Sequence, residues 1–271
     1  MPTRSPYRAV LLDLEGTLYE PAGAVPGAAE AVAALRAAAL HVRFVTNATR
    51  RSRAGLRERL RSVGIEAADE ELVTAVGAAA AWCREAGTRR VLPLLLRDVC
   101  EDLTGFELVT PDSPEAEERP RGTDEAVVVG DLGPDWSFEA LNRAFRWVLD
   151  GAALVACQRN RYWKDVSGLV LDAGPFVAAL EYAAGREAVL VGKPSPLFFG
   201  AALAGLDVRP AEAVMVGDDA ESDAGGAIAA GLAGWLVRTG KYRPGDESRT
   251  NPWPECVLDS VAELPEALGL A

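Results

Sequence analysis

Apolar and polar positions along this chain switch repeatedly between two periods. Short apolar runs at 9–12 and 42–46 each give way to a stretch of helical period, at 28–39 and 52–63. Strand, helix, strand, helix in that order predicts a parallel sheet covered by helices. Pro26-Gly27 stands just before the first helical stretch and Gly64 just after the second, as start and stop signals should. The last third repeats the scheme, with apolar runs at 188–191, 213–216 and 235–237, helical patterns at 196–206 and 223–230, a strand at Val257 and a short helix over 261–268. Both ends therefore predict one doubly wound, Rossmann-like α/β core.

Between them lies a segment with its own alternation, at 91–96, 99–103, 127–129, 138–149, 154–156 and 176–182. It predicts an inserted α/β domain, so the expected division is core 1–80, insert 81–186 and core 187–271. The stretch 110–124, rich in Pro, Glu, Asp and Arg, reads as a mobile surface loop of the insert rather than a linker. No internal repeat is present.

Composition narrows the function classes. A chain of 271 residues, 49% hydrophobic and 25% charged, can bury a substantial core as a soluble globular protein. Its net charge of -12 argues against a broad basic nucleic-acid surface but permits a small phosphorylated substrate, whose charge is met locally. Cys83, Cys100, Cys157 and Cys256 show no CxxC or zinc-like spacing and read as thiols of a reducing cytoplasm. The N-terminus has no signal-peptide pattern, and no apolar run approaches the ~18 residues of a membrane span. The single histidine, His41, lies far from every motif, so the chemistry is not expected to use a histidine base.

Four strand-end motifs carry the candidate chemistry. Asp13 ends the first apolar run, where open α/β sheets bind ligands, although such an Asp can also simply cap a turn. After Leu14 and Glu15, Gly16-Thr17 predicts a tight turn whose N–H groups can face an anion. Val45-Thr46-Asn47 offers a hydroxyl and an amide to phosphate oxygens, but such residues are also common in turns. Gly192-Lys193-Pro194 supplies a lysine able to act as a point charge. Finally, Val214-Met215-Val216-Gly217-Asp218-Asp219, with Glu221 and Asp223 beyond, forms an acidic cluster after an apolar strand, the arrangement a hard cation relieves. A similar Gly130-Asp131, with Asp135 following, lacks a partner lysine and reads as a strand of the insert with its helix-start residues.

In chain order these four motifs resemble the signatures of the haloacid dehalogenase superfamily. An insert between the threonine and lysine motifs resembles its class IIA type, which carries a large α/β cap domain. The segments Arg161-Tyr162-Trp163-Lys164, Ser167-Gly168-Leu169, Gly174-Pro175-Phe176, Ala179-Leu180-Glu181-Tyr182-Ala183, Val191-Gly192-Lys193-Pro194-Ser195-Pro196 and Arg238-Thr239-Gly240-Lys241-Tyr242-Arg243-Pro244 are similar to one branch. That branch holds the phospholysine phosphohistidine inorganic pyrophosphate phosphatases and the haloacid dehalogenase-like hydrolase domain-containing proteins. The resemblance implies a Mg²⁺-dependent phosphatase with Asp13 as nucleophile, forming an aspartyl-phosphate. It implies that Thr46 and Lys193 hold the phosphoryl group, with Leu14, Gly16, Thr17 and Asn47 beside it. Asp13, the Glu15 carbonyl and Asp218 would form the metal site, with Asp223 orienting a metal-bound water. The cap of such enzymes roofs the site, which makes Arg159, Asn160, Arg161, Tyr162 and Trp163 entrance candidates, Arg161 and Tyr162 foremost. The alternative for Tyr162 and Trp163 is packing within the cap. A homodimer through the cap is also implied.

Glu15 departs from the pattern, since most phosphatases of the superfamily carry Asp there as general acid and base. A glutamate keeps the carboxyl but displaces it by about one ångström, enough to cost rate. Pyrophosphate or P–N substrates, with better leaving groups than an alkoxide, would tolerate a weak acid. Sugar-phosphate, nucleotide or phosphoglycolate hydrolysis in the same cap class is the alternative, and a non-catalytic binding relative is another. A nucleotide-dependent dehydrogenase fails for want of a GxGxxG after the first strand.

Overall fold

The strand Ala9–Asp13 is buried along its whole length. An uninterrupted apolar run of this kind belongs to a parallel strand covered on both faces. A computed structural model, describing residues 6–117, 124–165 and 168–270, places it inside a six-stranded sheet. Across the sheet the strands run Cys256–Leu258, Ala233–Val237, Ala213–Gly217, Ala9–Asp13, His41–Thr46 and Leu72–Thr74. Ala9–Asp13 pairs in parallel with both neighbours, Leu12 opposite Val216 on one side and Phe44 on the other. The chain first crosses to one side of this strand and later returns to the other. Its carboxyl end is thus a topological switch point, where open sheets form their ligand crevice.

Helix Ala28–Ala37 buries Ala28, Ala31, Val32 and Leu35, the i, i+3, i+4, i+7 stripe of an amphipathic helix. Those residues join Val10, Leu12, Phe44, Leu56, Leu60, Val214, Val216 and Trp235 in one apolar core.

The chain divides into two units, one formed by residues 1–46, 55–73 and 193–271, the other by 47–54 and 74–192. The second contains a five-stranded parallel sheet ordered Val189–Leu190, Ala153–Ala156, Glu125–Val129, Arg90–Leu94 and Glu107–Leu108. Helix Phe138–Leu149 covers it through Ala140, Ala144, Trp147 and Val148, and starts where Ser137 accepts the Ala140 N–H. The fold is thus α/β, a doubly wound Rossmann-like core with an inserted α/β cap domain.

Several elements differ from the sequence expectation. The run at 188–191 does not extend the core sheet: Val189–Leu190 pairs with Ala153–Ala156 in the cap sheet. Apolar periodicity says that a segment is buried in a sheet, not which sheet it joins. Strand Leu72–Thr74 and helix Ala75–Glu85 fill a stretch where no element was expected. Five of its eleven residues are alanine, which carries a weak hydrophobic signal whichever face it occupies. The helix expected over 223–230 opens as a π-turn, Ala220–Gly225, before the α-turn Gly226–Ala229. The expected final helix divides into the 3₁₀ turn Val261–Glu263 and the helix Leu264–Ala267. Of the loop expected over 110–124, residues 118–123 lie outside the described residues, as does Ser167 of the hairpin segment. Among the described residues no helix is long and apolar enough to cross a membrane.

Candidate active site

Asp13 is the last residue of its strand, opposite Val45, and is 8% exposed. The chain then turns sharply. Gly16 adopts φ +88°, a left-handed conformation that favours glycine, and its N–H donates to the Tyr19 carbonyl at 2.7 Å. The N–H groups of Thr17, Leu18 and Tyr19 all donate to the Leu14 carbonyl. The amides of Gly16 and Thr17, expected to face an anion, are therefore spent within the turn. The Thr17 hydroxyl is fully buried and has no hydrogen-bond partner.

At the end of the neighbouring strand Ala213–Gly217, Asp218 is buried. The following π-turn begins with Asp219, whose Oδ1 accepts the N–H groups of Glu221 and Ser222 at 3.1 and 3.0 Å. Its wide turn brings Asp223 back beneath the strand end, where Oδ2 accepts the Asp219 N–H at 3.1 Å. Single π-turns of this type recur at functional sites.

Lys193 ties these pieces together. Its side chain is 3% exposed, and Nζ donates to Asp13 Oδ1 at 2.5 Å and to Asp223 Oδ1 at 2.7 Å. Burial alone would lower its pKa, but the two carboxylates outweigh that and raise it, so the ammonium stays charged. Asp13, Asp218 and Asp223 each present an oxygen within 4.8 Å of the others. The crowding shows in their titration. Asp218 is pushed up to about 8, by burial first and then by the Asp13 and Asp223 charges. Asp223 is pushed up to about 6 by burial, against the pull of Lys193. One lysine cannot neutralise three buried carboxylates. An all-oxygen set of this kind suits a hard divalent cation such as Mg²⁺, and these residues could coordinate one.

Comparison with known proteins agrees with this geometry. The haloacid dehalogenase-like hydrolase profile matches residues 10–108 and the HAD-hydrolase-like profile residues 190–264. The haloacid dehalogenase-like hydrolase domain-containing protein 2 of Rattus norvegicus is 44% identical over 96% of this chain and 95% of its own length. This chain belongs to the haloacid dehalogenase-like hydrolase family. The phospholysine phosphohistidine inorganic pyrophosphate phosphatase of Homo sapiens is 38% identical, covering 96% of this chain and 94% of its own. Among solved structures, the glycerol phosphate phosphatase of Mycobacterium tuberculosis, in complex with magnesium, matches with a TM-score of 0.81. That match is at 28% identity over 96% of this chain and 78% of the other.

Within this haloacid dehalogenase-type hydrolase the remaining sequence candidates separate. Thr46 ends strand His41–Thr46 and is buried. Glu15 is exposed, and its carboxyl is not part of the Asp13, Asp218 and Asp223 group. Asn47 belongs to the second unit, where its Oδ1 lies so close to Gly192 that a Cβ there would sit 2.7 Å from it. Arg161 and Tyr162 also belong to the second unit, both exposed, at the start of the hairpin Tyr162–Asp165 and Gly168–Leu171. Arg159 is engaged in an ion pair with Glu181, and the Arg50 guanidinium lies 4.8 Å over the Trp163 ring. Asp131 has an arginine rather than a lysine as partner, Arg50 at 2.6 Å, while its N–H donates to Thr49 at 3.1 Å. It anchors the 47–54 segment within its own unit.

The sequence reading attached no role to Thr239, Gly240 and Lys241, which follow strand Ala233–Val237. The Lys241 N–H donates to Asp218 Oδ2 at 2.6 Å. The signal was available, since the apolar run at 235–237 predicts a strand of the core and this loop follows its carboxyl end.

Proposed function

We propose that this chain removes phosphate from small phosphorylated compounds, with pyrophosphate or P–N phosphoramidates as its preferred class. It is an enzyme, a haloacid dehalogenase-type phosphatase. The observation that carries the reading is the buried Lys193 ammonium held between Asp13 and Asp223 beside Asp218. A carboxylate attacks a phosphate anion poorly unless cations offset the repulsion between them.

In this reading Asp13 attacks phosphorus, the bond to the leaving group breaks, and an aspartyl-phosphate forms. Water then cleaves the acyl phosphate, releasing inorganic phosphate and restoring Asp13. Lys193 holds the Asp13 carboxylate in place and meets the charge of the transferred phosphoryl group, with Thr46 and Leu14 as further phosphate contacts. Mg²⁺, held by Asp13, Asp218 and the Glu15 carbonyl with Asp223 behind, would supply the additional positive charge that phosphoryl transfer requires. Glu15 gives the leaving group its proton. Its longer side chain favours leaving groups that need little protonation, which points to anhydride and P–N bonds. The 38% identity to a phosphatase named for phospholysine, phosphohistidine and pyrophosphate supports the same choice.

A homodimer through the cap is proposed on the hairpin. Tyr162 pairs opposite Leu171, and Leu169 lies two residues from Leu171, so the three share one face. All three are exposed. Light scattering of the parent and Leu169→Glu tests this, a dimer converted to monomer being expected and a monomeric parent refuting it.

The deciding experiment is phosphate release from pyrophosphate, phosphohistidine, p-nitrophenyl phosphate and sugar phosphates, with Mg²⁺ and with EDTA. Activity should require Mg²⁺, favour the first two and vanish in Asp13→Asn. Preference for a sugar phosphate would overturn the substrate class, and release by Asp13→Asn the mechanism. Glu15→Asp should raise turnover on sugar phosphates, whose alkoxide must be protonated to leave, whereas Glu15→Ala as active as the parent would remove Glu15 from the chemistry.

A further inference from the structure

The loop after strand Ala233–Val237 is fastened at three points, two on the segment following Asp13 and one on Asp218. Thr239 Oγ1 donates to the Gly16 carbonyl at 2.5 Å, the Gly240 N–H reaches Glu20 Oε1 at 3.3 Å, and the Lys241 N–H donates to Asp218 Oδ2 at 2.6 Å. The oxygen receiving that last bond is enclosed. A Cβ added at either Gly16 or Gly240 would lie 2.1 Å from Asp218 Oδ2, and both glycines have positive φ, +88° and +60°. Two backbones therefore close around one carboxylate oxygen, and only residues without a side chain permit that approach.

A carboxylate at the end of a strand can rotate about χ2 and offer either oxygen to a cation. Here the amide and the two glycines hold Oδ2, which leaves Oδ1 to serve as ligand. A short N–H···O⁻ bond of this kind is charge-assisted and directional. Partners that orient a metal ligand from behind are worth about 10- to 100-fold in metal affinity.

We propose that Thr239, Gly240 and Lys241 form a positioning clasp that holds Asp218 in the rotamer needed to bind the divalent cation, with Thr239 pinning the loop to the turn after Asp13. The clasp rests on the metal site proposed above. Its working parts are the Lys241 amide and the Thr239 hydroxyl. The Lys241 ammonium, 3.8 Å from Asp219 Oδ2 and largely exposed, is not one of them.

Titration of the purified protein with Mn²⁺, followed by electron paramagnetic resonance, tests this directly, alongside thermal unfolding in EDTA. Lys241→Pro deletes the amide hydrogen and Thr239→Val the tether. Each should raise the Mn²⁺ dissociation constant about 10- to 100-fold, while Thr239→Ser restores it and Lys241→Ala, which keeps the amide, binds at least as tightly as the parent. The metal-free unfolding temperature of Thr239→Val should stay near that of the parent, which separates positioning from a merely structural role. A parent that binds no Mn²⁺ would overturn the metal site and the clasp together. A parent that binds, with Lys241→Pro and Thr239→Val binding equally well, would overturn the clasp alone. Should Lys241→Pro fail to fold, Thr239→Val against Thr239→Ser decides.

Discussion

Replacing Lys193 with methionine removes a buried cation from between two buried carboxylates while keeping most of the side-chain volume. Nζ lies 2.5 Å from Asp13 and 2.7 Å from Asp223, so both lose their counter-charge at once. Removing one partner of a buried ion pair costs about 3–5 kcal/mol, because the other charge is left unsolvated. The carboxylates can escape part of that cost by taking up a proton. For a group whose ordinary pKa is 3.8, the cost of uptake is about 1.4 kcal/mol for each pH unit above that value. At pH 5 uptake costs roughly 2 kcal/mol, whereas at pH 8 it exceeds the ion-pair penalty and the full 3–5 kcal/mol is felt. The sign follows from linkage. The substitution removes the Lys193 charge that pulls the already raised Asp223 carboxyl down, and a raised carboxylate contributes stability at low pH that is lost as pH rises. Lys193→Met should therefore lower the unfolding temperature in EDTA far more at pH 8 than at pH 5. At about 2–4 °C per kcal/mol for a chain of this size, the drop at pH 8 is roughly 6–20 °C. Scanning calorimetry of parent and variant at the two pH values measures it. Equal drops at both pH values, or a drop under about 2 °C at pH 8, would refute the reasoning.

The metal-free parent should itself lose stability between about pH 4 and 8, because Asp218 and Asp223 are raised to about 8 and about 6 from 3.8. Mg²⁺ should consequently raise the unfolding temperature more at pH 8 than at pH 5, and calorimetry showing the reverse would contradict the assignment. Asp219→Ala removes the side chain that caps the π-turn through two N–H groups, and should cost about 0.5–2 kcal/mol in urea unfolding and weaken activity by loosening Asp223. Burial pushes the Cys83 and Cys100 thiols up to about 11 and raises Cys157 further. At pH 8 only about one in a thousand of the Cys83 and Cys100 thiols is then ionised, so a thiol reagent should label Cys83 and Cys157 only after denaturant is added. Fast native labelling of either would show that its site opens.

Much of this protein follows from local pattern. Fully apolar runs of four or five residues required parallel strands covered on both faces, and the helical stripes between them required a doubly wound core. The strand-end positions of Asp13, Thr46 and Asp218 were legible because each ends such a run, and a strand end fixes position through the backbone alone. Lys193 was legible as chemistry, but the strand preceding it was assigned to the wrong sheet, because a short apolar run pairs according to long-range contacts. The helix Ala75–Glu85 was not legible because its buried stripe is mostly alanine, too weakly apolar to stand out as a period.

The sequence by itself determined the fold class, the order of the motifs and the kind of chemistry they carry, since each depends on residue type and spacing along a few turns of chain. The tertiary structure alone decided that the Gly16 and Thr17 amides are consumed within their own turn. It also decided that Lys193 bridges Asp13 and Asp223, and that the loop after strand Ala233–Val237 closes on Asp218. The last two are contacts between residues far apart in the chain. Their partners are chosen by the three-dimensional competition for each buried donor and acceptor, which leaves no periodic trace in the sequence.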